Sequence, residues 1–456
     1  MTDPTQLATQ LGVGPEWARA FAEVERLVGG RIVRAEKQPR WRPAFFLDVE
    51  VAGETRAVYL RGDRGELQHG VYGLDHEYRV LCALEAEGVP VPHVYGFVEE
   101  PLAIVMARAP GRVNLATAKD ESERRAVLDH WIAILAAMHR LPLARFESLG
   151  LERPKSAEQL GLGDFPRWEK SWRERKNRPD PRIEWVIAWL HRNVPKHRTR
   201  PAMIQGDAGQ FLFEHGRVTA MIDLELAYIG DPLADLAGML NRDLSEPMGD
   251  LNRAFHRYAD LMGEPLDVKT VWYHTARFGI CTPIACAPLL AAPPAQFNHP
   301  VYLGWDIVYG RIALEAIARF SGIALREPEL PEPAPSRHAP GFEQLLATLA
   351  ALPRGYEADT AYRIAQWARE LDARGAAIER DDAEEVARLT GARVSPGLDA
   401  DRALEAFVTS AGAERDEEIL QLLYRRTKRQ QALMQPALRE LEHARLHEIR
   451  EEASWR

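Results

Sequence analysis

Three short blocks hold residues whose types and spacing could do chemistry: Ile204-Gln-Gly-Asp-Ala-Gly-Gln-Phe-Leu-Phe213, Val218-Thr-Ala-Met-Ile-Asp-Leu-Glu-Leu-Ala227 and Gly230-Asp-Pro-Leu-Ala-Asp-Leu-Ala237. An apolar strand delivers Asp207 into a glycine-flanked loop. The chain then turns back at Glu214-His215-Gly216-Arg217, and a second apolar strand ends at Asp223. Two carboxylates sixteen positions apart (223 − 207) thereby reach the same end of one β pair. Phosphoryl transfer asks for that arrangement, because one carboxylate must hold an acceptor hydroxyl in line while another grips the magnesium bridging nucleotide phosphates. Magnesium itself takes one or two carboxylates together with phosphates and waters. A glycosidase pair is the other chemistry open to two carboxylates, but it leaves the rest of the blocks unexplained. Any single Asp after a strand, or any single Gly-Asp-Pro, reads as a turn or a cap. The agreement of all three blocks is what argues for a site.

The elements that must position these residues are legible upstream and downstream. Trp17 to Val28 predicts an amphipathic helix closed by Gly29-Gly30, and Ala44 to Val51 with Arg56 to Arg61 predicts a hairpin around Gly53. A helix over Asp75 to Glu87 and strands over Val94 to Val98 and Leu102 to Met106 complete a mostly antiparallel sheet carrying one helix. After Pro110-Gly111 the pattern turns helical, over 122–145, over 182–194 and again from Asp235 onward. The fold class expected is α+β: a small β-rich N-lobe (1–107) and a larger α-rich C-lobe (108–325), with ligands held between them. A Pro/Glu-rich linker (326–340) leads to a helical C-terminal extension (341–456), with helices expected over Phe342–Leu352, Thr360–Leu371, Asp401–Val408, Ile419–Leu433 and Leu438–Ile449. The dense Glu/Arg decoration of that tail marks solvated helix faces. A partner-binding or self-associating surface is the alternative. His139, Trp168, Trp172 and Trp185 are read as structural, and Tyr273, His274 and Arg277 as a possible acceptor-pocket lining.

Composition excludes several classes. The 456 residues are 46% hydrophobic and 27% charged, as in ordinary soluble domains, with a formal net charge of −9. That balance argues against a general nucleic-acid binder, which needs a basic footprint. Cys82, Cys281 and Cys286 are too few for a disulfide framework or metal cluster and read as buried thiols. The first residues lack a basic and apolar leader. The longest apolar stretch, Ile280 to Ala292, is interrupted by prolines and falls short of a membrane span. A cytosolic protein is the expectation.

The blocks resemble the aminoglycoside/choline kinase superfamily, whose pattern is His-Gly-Asp, a short loop with Asn, a hairpin, Ile-Asp-x-Glu and Gly-Asp-Pro-x-x-Asp-Leu-Ala. The chain looks closest to the branch also found fused to acyl-CoA dehydrogenases. The resemblance extends upstream through Leu60-Arg61 and Leu84-Glu-Ala-Glu-Gly-Val-Pro-Val-Pro92 to Ile104-Val-Met-Ala-Arg-Ala-Pro-Gly-Arg112, and covers roughly residues 20 to 320. It implies a kinase-like fold using ATP and Mg2+ to phosphorylate a hydroxyl of a small molecule. By the same resemblance Asp207 orients the hydroxyl as catalytic base, and Asp223 is a magnesium ligand. Gln210 is the best match for the Asn that binds the second metal. Arg61 is the phosphate-binding cation with Glu77 as its partner, and the backbone of Met106, Ala107 and Arg108 meets adenine. Asp231 and Asp235 brace the following helix.

Three positions depart from the pattern. Gln205 stands for the usual His, and Gln210 directly precedes Phe-Leu-Phe in a shortened loop. Lys37-Gln-Pro-Arg-Trp-Arg-Pro43 replaces a Gly/Ser-rich phosphate loop, so Arg40 and Arg42 become candidate phosphate contacts through charge-assisted bonds, or contacts to an anionic acceptor. These departures keep open a second reading, a nucleotide-binding pseudokinase whose helical tail recruits a partner.

Overall fold

The computed structural model describes residues 3–38, 42–65, 70–294 and 297–451. Its N-terminal part is built on a hairpin. Strands β2 (Ala44–Val51) and β3 (Glu54–Gly62) meet at Ala52-Gly53, whose φ angles of 51° and 84° give the left-handed twist that a two-residue connection needs. With β1 (Arg31–Lys37), β4 (Val94–Glu99) and β5 (Leu102–Ala107) they form a five-stranded antiparallel sheet in the order β1-β2-β3-β5-β4. Helix Glu16–Val28 sets Trp17, Ala20, Phe21, Val24 and Val28 along one face, at helical spacing, and packs them on Phe45, Leu47, Val58 and Leu60. The opposite sheet face, through Ile104 and Met106, joins helix Leu74–Ala86 and the core of the larger lobe. β1 was not anticipated. It is an edge strand with six of its seven residues at least partly exposed and only Ile32 buried, so its apolar alternation is too weak to read.

The larger lobe is helical around two short ladders, β6 (Ala202–Ile204) with β9 (Tyr228–Gly230), and β7 (Phe211–Glu214) with β8 (Arg217–Met221). The helix expected over 122–145 is instead Glu121–Met138 followed by Ala144–Ser148, divided where Pro142 cannot continue the first. Pro283 and Pro288, which interrupt the apolar stretch of the sequence, lie inside one continuous helix, Val268–Ala291. Packing along helix His299–Ser321 overrides the lost backbone bonds. Residues 323–336 carry neither helix nor strand.

In the C-terminal part, helices Ala339–Ala350, Tyr356–Glu370, Ala376–Thr390, Leu398–Ser410 and Asp416–Met434 follow. The helix expected over Leu438–Ile449 is absent: a 3-10 turn at Arg439–Leu441 leads into irregular chain. Leu438, Leu441, Leu446 and Ile449 are nevertheless buried in the main core, which is what their apolar spacing recorded. Ile419, Leu420 and Leu423 enter the same core. Among the described residues no helix is long and apolar enough to cross a membrane. The whole is a two-lobed α+β fold with a helical C-terminal extension.

Candidate active site

The loop carrying Asp207 is held from behind. Asp235, fully buried on helix Leu233–Arg242, accepts from the backbone N–H groups of Gln205 and Gly206, both at 2.9 Å. His139 Nε2 reaches the same carboxylate at 3.0 Å, and His139 Nδ1 contacts the Tyr258 hydroxyl at 2.7 Å. His139 is thus a satisfied structural residue. Gly206 has φ 92° and leaves no room for a side chain, since a Cβ there would lie 2.3 Å from the Leu226 carbonyl oxygen. Gln205, also fully buried, donates from Nε2 to the carbonyls of Gln210 (3.2 Å) and Ile222 (3.0 Å), stitching the Asp207 loop to the strand that leads to Asp223. An amide here does the bracing that the sequence pattern assigns to His. Asp231 pairs with Arg198 at 2.9 Å and accepts from the N–H of Leu233, fixing the start of the next helix.

Asp223 adopts φ 59°, a left-handed conformation that Asp tolerates better than most residues, and this turns it out of β8 into the interlobe cleft. Arg61, at the end of β3, links both lobes. Its Nε donates to Glu77 at 2.9 Å, and its Nη2 meets Asp223 and, at 3.2 Å, Glu225. Glu225 also takes Arg42 at 2.7 Å and Arg64. Asp207 is contacted by Arg242 and by Gln210 Nε2 at 2.7 Å. That donation uses the Gln210 amide nitrogen and leaves its side-chain oxygen as the end able to act as a ligand.

Burial sets the protonation pattern. It pushes the Glu77 carboxyl up to about 7 against the pull of Arg61, and it raises Asp207 above the ordinary carboxylate range against Arg242. Asp223 is also desolvated, but the guanidiniums of Arg61, Arg42, Arg64 and Arg242 outweigh that and hold it low and ionised. One oxygen from each of Glu77, Asp223 and Glu225 lies within 4.8 Å of the others. Hard oxygen donors clustered this way fit magnesium, with Asp223 and Gln210 the pair facing the cleft and Glu77 retained by Arg61.

Of the residues singled out in the sequence, Asp207, Gln210, Asp223, Arg61, Glu77 and Arg42 meet at one end of the cleft. Arg40 lies outside the described residues. Met106 and Ala107 end β5 and Arg108 follows, but two amides are already used: Ala107 N–H donates to His93 and Arg108 N–H to Ala57. The Arg108 guanidinium lies 5.1 Å from the Phe46 ring centroid and pairs with Asp48. Tyr273, His274 and Arg277 do not line the acceptor side. Tyr273 is buried on Leu190, His274 faces Asp231, and Arg277 bonds Asp164 and Tyr228 in the core. The same helix instead presents Phe278, Cys281, Thr282 and Ala285 to the cleft, one face at three- and four-residue spacing. Arg64, Glu225 and Arg242 were missed as site residues. Only Glu225 had a signal, its place in Ile-Asp-x-Glu.

A sequence model of the phosphotransferase enzyme family matches residues 49–266, the span that holds Glu77, Asp207, Asp223 and Glu225. Over that segment the chain is similar to the family. Its relatives include acyl-CoA dehydrogenase family member 10 of Mus musculus, 31% identical over 210 residues, which are 43% of this chain and 19% of the relative. Acyl-CoA dehydrogenase family member 11 of Rattus norvegicus is 28% identical over 251 residues, 52% of this chain and 31% of the relative. The chain therefore spans less than a third of these curated relatives. Among solved structures it is similar to a thermostable mutant of aminoglycoside phosphotransferase APH(4)-Ia in ternary complex with ADP and hygromycin B, with a TM-score of 0.46 and 17% identity, covering 67% of this chain and 99% of that one.

Proposed function

We propose that the protein is an ATP- and magnesium-dependent phosphotransferase acting on a hydroxyl group of a small molecule. The observation that carries this is the placement of Asp207 and Asp223 at one end of a cleft together with Arg42, Arg61 and Arg64. Asp207 orients the acceptor hydroxyl and takes its proton on the carboxylate, whose raised affinity for protons suits that role. Arg242 and Gln210 fix the Asp207 rotamer. Magnesium, held by Asp223 and the Gln210 carbonyl oxygen, would neutralise charge on the transferring phosphates. Arg61, oriented by Glu77, offers its remaining nitrogen to a phosphate, and Arg42 and Arg64 exchange Glu225 for phosphate oxygens. Positioning and charge neutralisation supply most of the acceleration in such reactions.

Substituting Asp207→Asn keeps the shape and removes the proton acceptor. Turnover is expected to fall by about 10²- to 10⁴-fold, while mant-ATP affinity, measured by fluorescence titration, stays near wild type. Full turnover in the variant sinks the assignment. A second reading, a nucleotide-binding pseudokinase, is favoured by the arginines that cap both carboxylates, Arg242 on Asp207 and Arg61 on Asp223. Nucleotide binding without any phosphorylated product across a broad panel of hydroxylated compounds decides for it.

A further inference from the structure

The cleft measures about 1410 Å³. Single small-molecule sites usually occupy ~300–1,000 Å³, so this one has room for a nucleotide and a second molecule beside it. Its two ends differ in chemistry. The charged end is the arginine and carboxylate cluster. The other is apolar and aromatic, lined by Phe278 and Ala285 from helix Val268–Ala291, Trp305 from helix His299–Ser321, and Tyr356 and Ile364 from helix Tyr356–Glu370, with Tyr309 standing towards the charged end beside Arg242. None of these six falls within residues 49–266, the family-matched segment.

Helix Tyr356–Glu370 is fixed in place as a wall. Arg363, flanking the face turned to the cleft, is buried and donates from Nε to the Ala437 carbonyl at 2.8 Å. Trp367 lies against the His299 ring, with centroids 5.4 Å apart. Towards the cleft the helix turns Tyr356, Glu357, Thr360, Ala361 and Ile364, a single face at helical spacing. Tyr356 is 57% exposed and Ile364 37%, although both are large and apolar. Apolar side chains left open on a concave surface mark a binding site. One acid lies on this helix face, Glu357, while Glu246 is paired with Arg242 beside Asp207. A polycationic acceptor would meet too little negative charge.

We propose that helix Tyr356–Glu370 is the specificity wall of the acceptor subsite, and that the subsite takes an uncharged alcohol bearing an apolar chain. This rests on the phosphotransferase reading for what happens next. The alcohol oxygen bonds to the γ-phosphorus as the bond to the β–γ bridging oxygen breaks. ADP leaves, and the hydroxyl proton passes to Asp207.

The test uses Nile red as an apolar reporter in the full chain and displaces it with primary n-alkanols from butanol to octanol, without nucleotide. Affinity should rise about fourfold per added methylene, the equivalent of ~0.8 kcal/mol per buried CH2. Ile364→Glu, at a half-exposed position that does not disturb folding, should weaken octanol at least tenfold and leave mant-ATP binding unchanged, while Ile364→Leu retains octanol binding. Equal octanol affinity in wild type and Ile364→Glu overturns the inference, as does stronger displacement by kanamycin than by octanol. The two readings fail separately. Alkanol binding in a protein that does not bind mant-ATP removes the kinase reading and leaves the apolar wall, whereas mant-ATP binding with no alkanol displacement removes the wall.

Discussion

Removing the Asp235 carboxylate should cost more than removing any residue inside the cleft, although Asp235 touches no substrate. Asp235→Ala strands the backbone N–H groups of Gln205 and Gly206, each now bonded at 2.9 Å, in a part of the core closed to water. A buried donor left without a partner costs about 1–3 kcal/mol, so the two together amount to about 2–6 kcal/mol. That is a large share of the ~5–15 kcal/mol by which a folded protein is stable. His139 also loses its 3.0 Å partner and keeps only Tyr258. Urea unfolding followed by tryptophan fluorescence should give a loss in that range, with Asp235→Asn intermediate because it keeps one acceptor oxygen. Hydrogen exchange read on the peptide spanning 202–208 should show the Gln205 and Gly206 amides exchanging at least tenfold faster. A variant within about 1 kcal/mol of wild type, with both amides still protected, would refute the bracing role.

Two other perturbations read the charge cluster. The Glu77 carboxyl stands at about 7 in the fold against 4.5 as its ordinary value, so its contribution to stability is complete below the ordinary value and lost as pH rises through about 7. The wild-type advantage over Glu77→Gln should therefore shrink by about 3 kcal/mol between pH 4.5 and 7.5, measured by urea unfolding at each pH, and a pH-independent difference contradicts the assignment. Asp223→Asn should abolish the magnesium dependence of mant-ATP affinity, a loss of tenfold or more at millimolar magnesium. An unchanged magnesium response would place the metal elsewhere.

What could be read in the sequence was local. The hairpin that brings Asp207 and Asp223 to one end follows from two apolar strands and a Gly-containing turn within twenty residues, and every contact it needs is near in the chain. The same holds for the β2–β3 turn at Ala52-Gly53 and for the buried face of helix Glu16–Val28. Where spacing was read as structure without its packing partner, it misled. Leu438 to Ile449 has buried apolar residues but no helix.

By itself, the sequence determined which side chains could do phosphoryl chemistry and the order in which the chain presents them. Tertiary structure alone decided what surrounds them. Arg61 meets Asp223 across 162 positions, and Arg242 reaches Asp207 from the last turn of a helix whose sequence block marked only Asp231 and Asp235 as bracing residues. Helix Val268–Ala291 shows the reason most plainly. It is apolar nearly all round, so nothing along it says whether Tyr273, His274 and Arg277 or Phe278, Cys281 and Ala285 face the ligand. Each residue turns the helix by about 100°, and only the neighbours against which it packs fix that rotation.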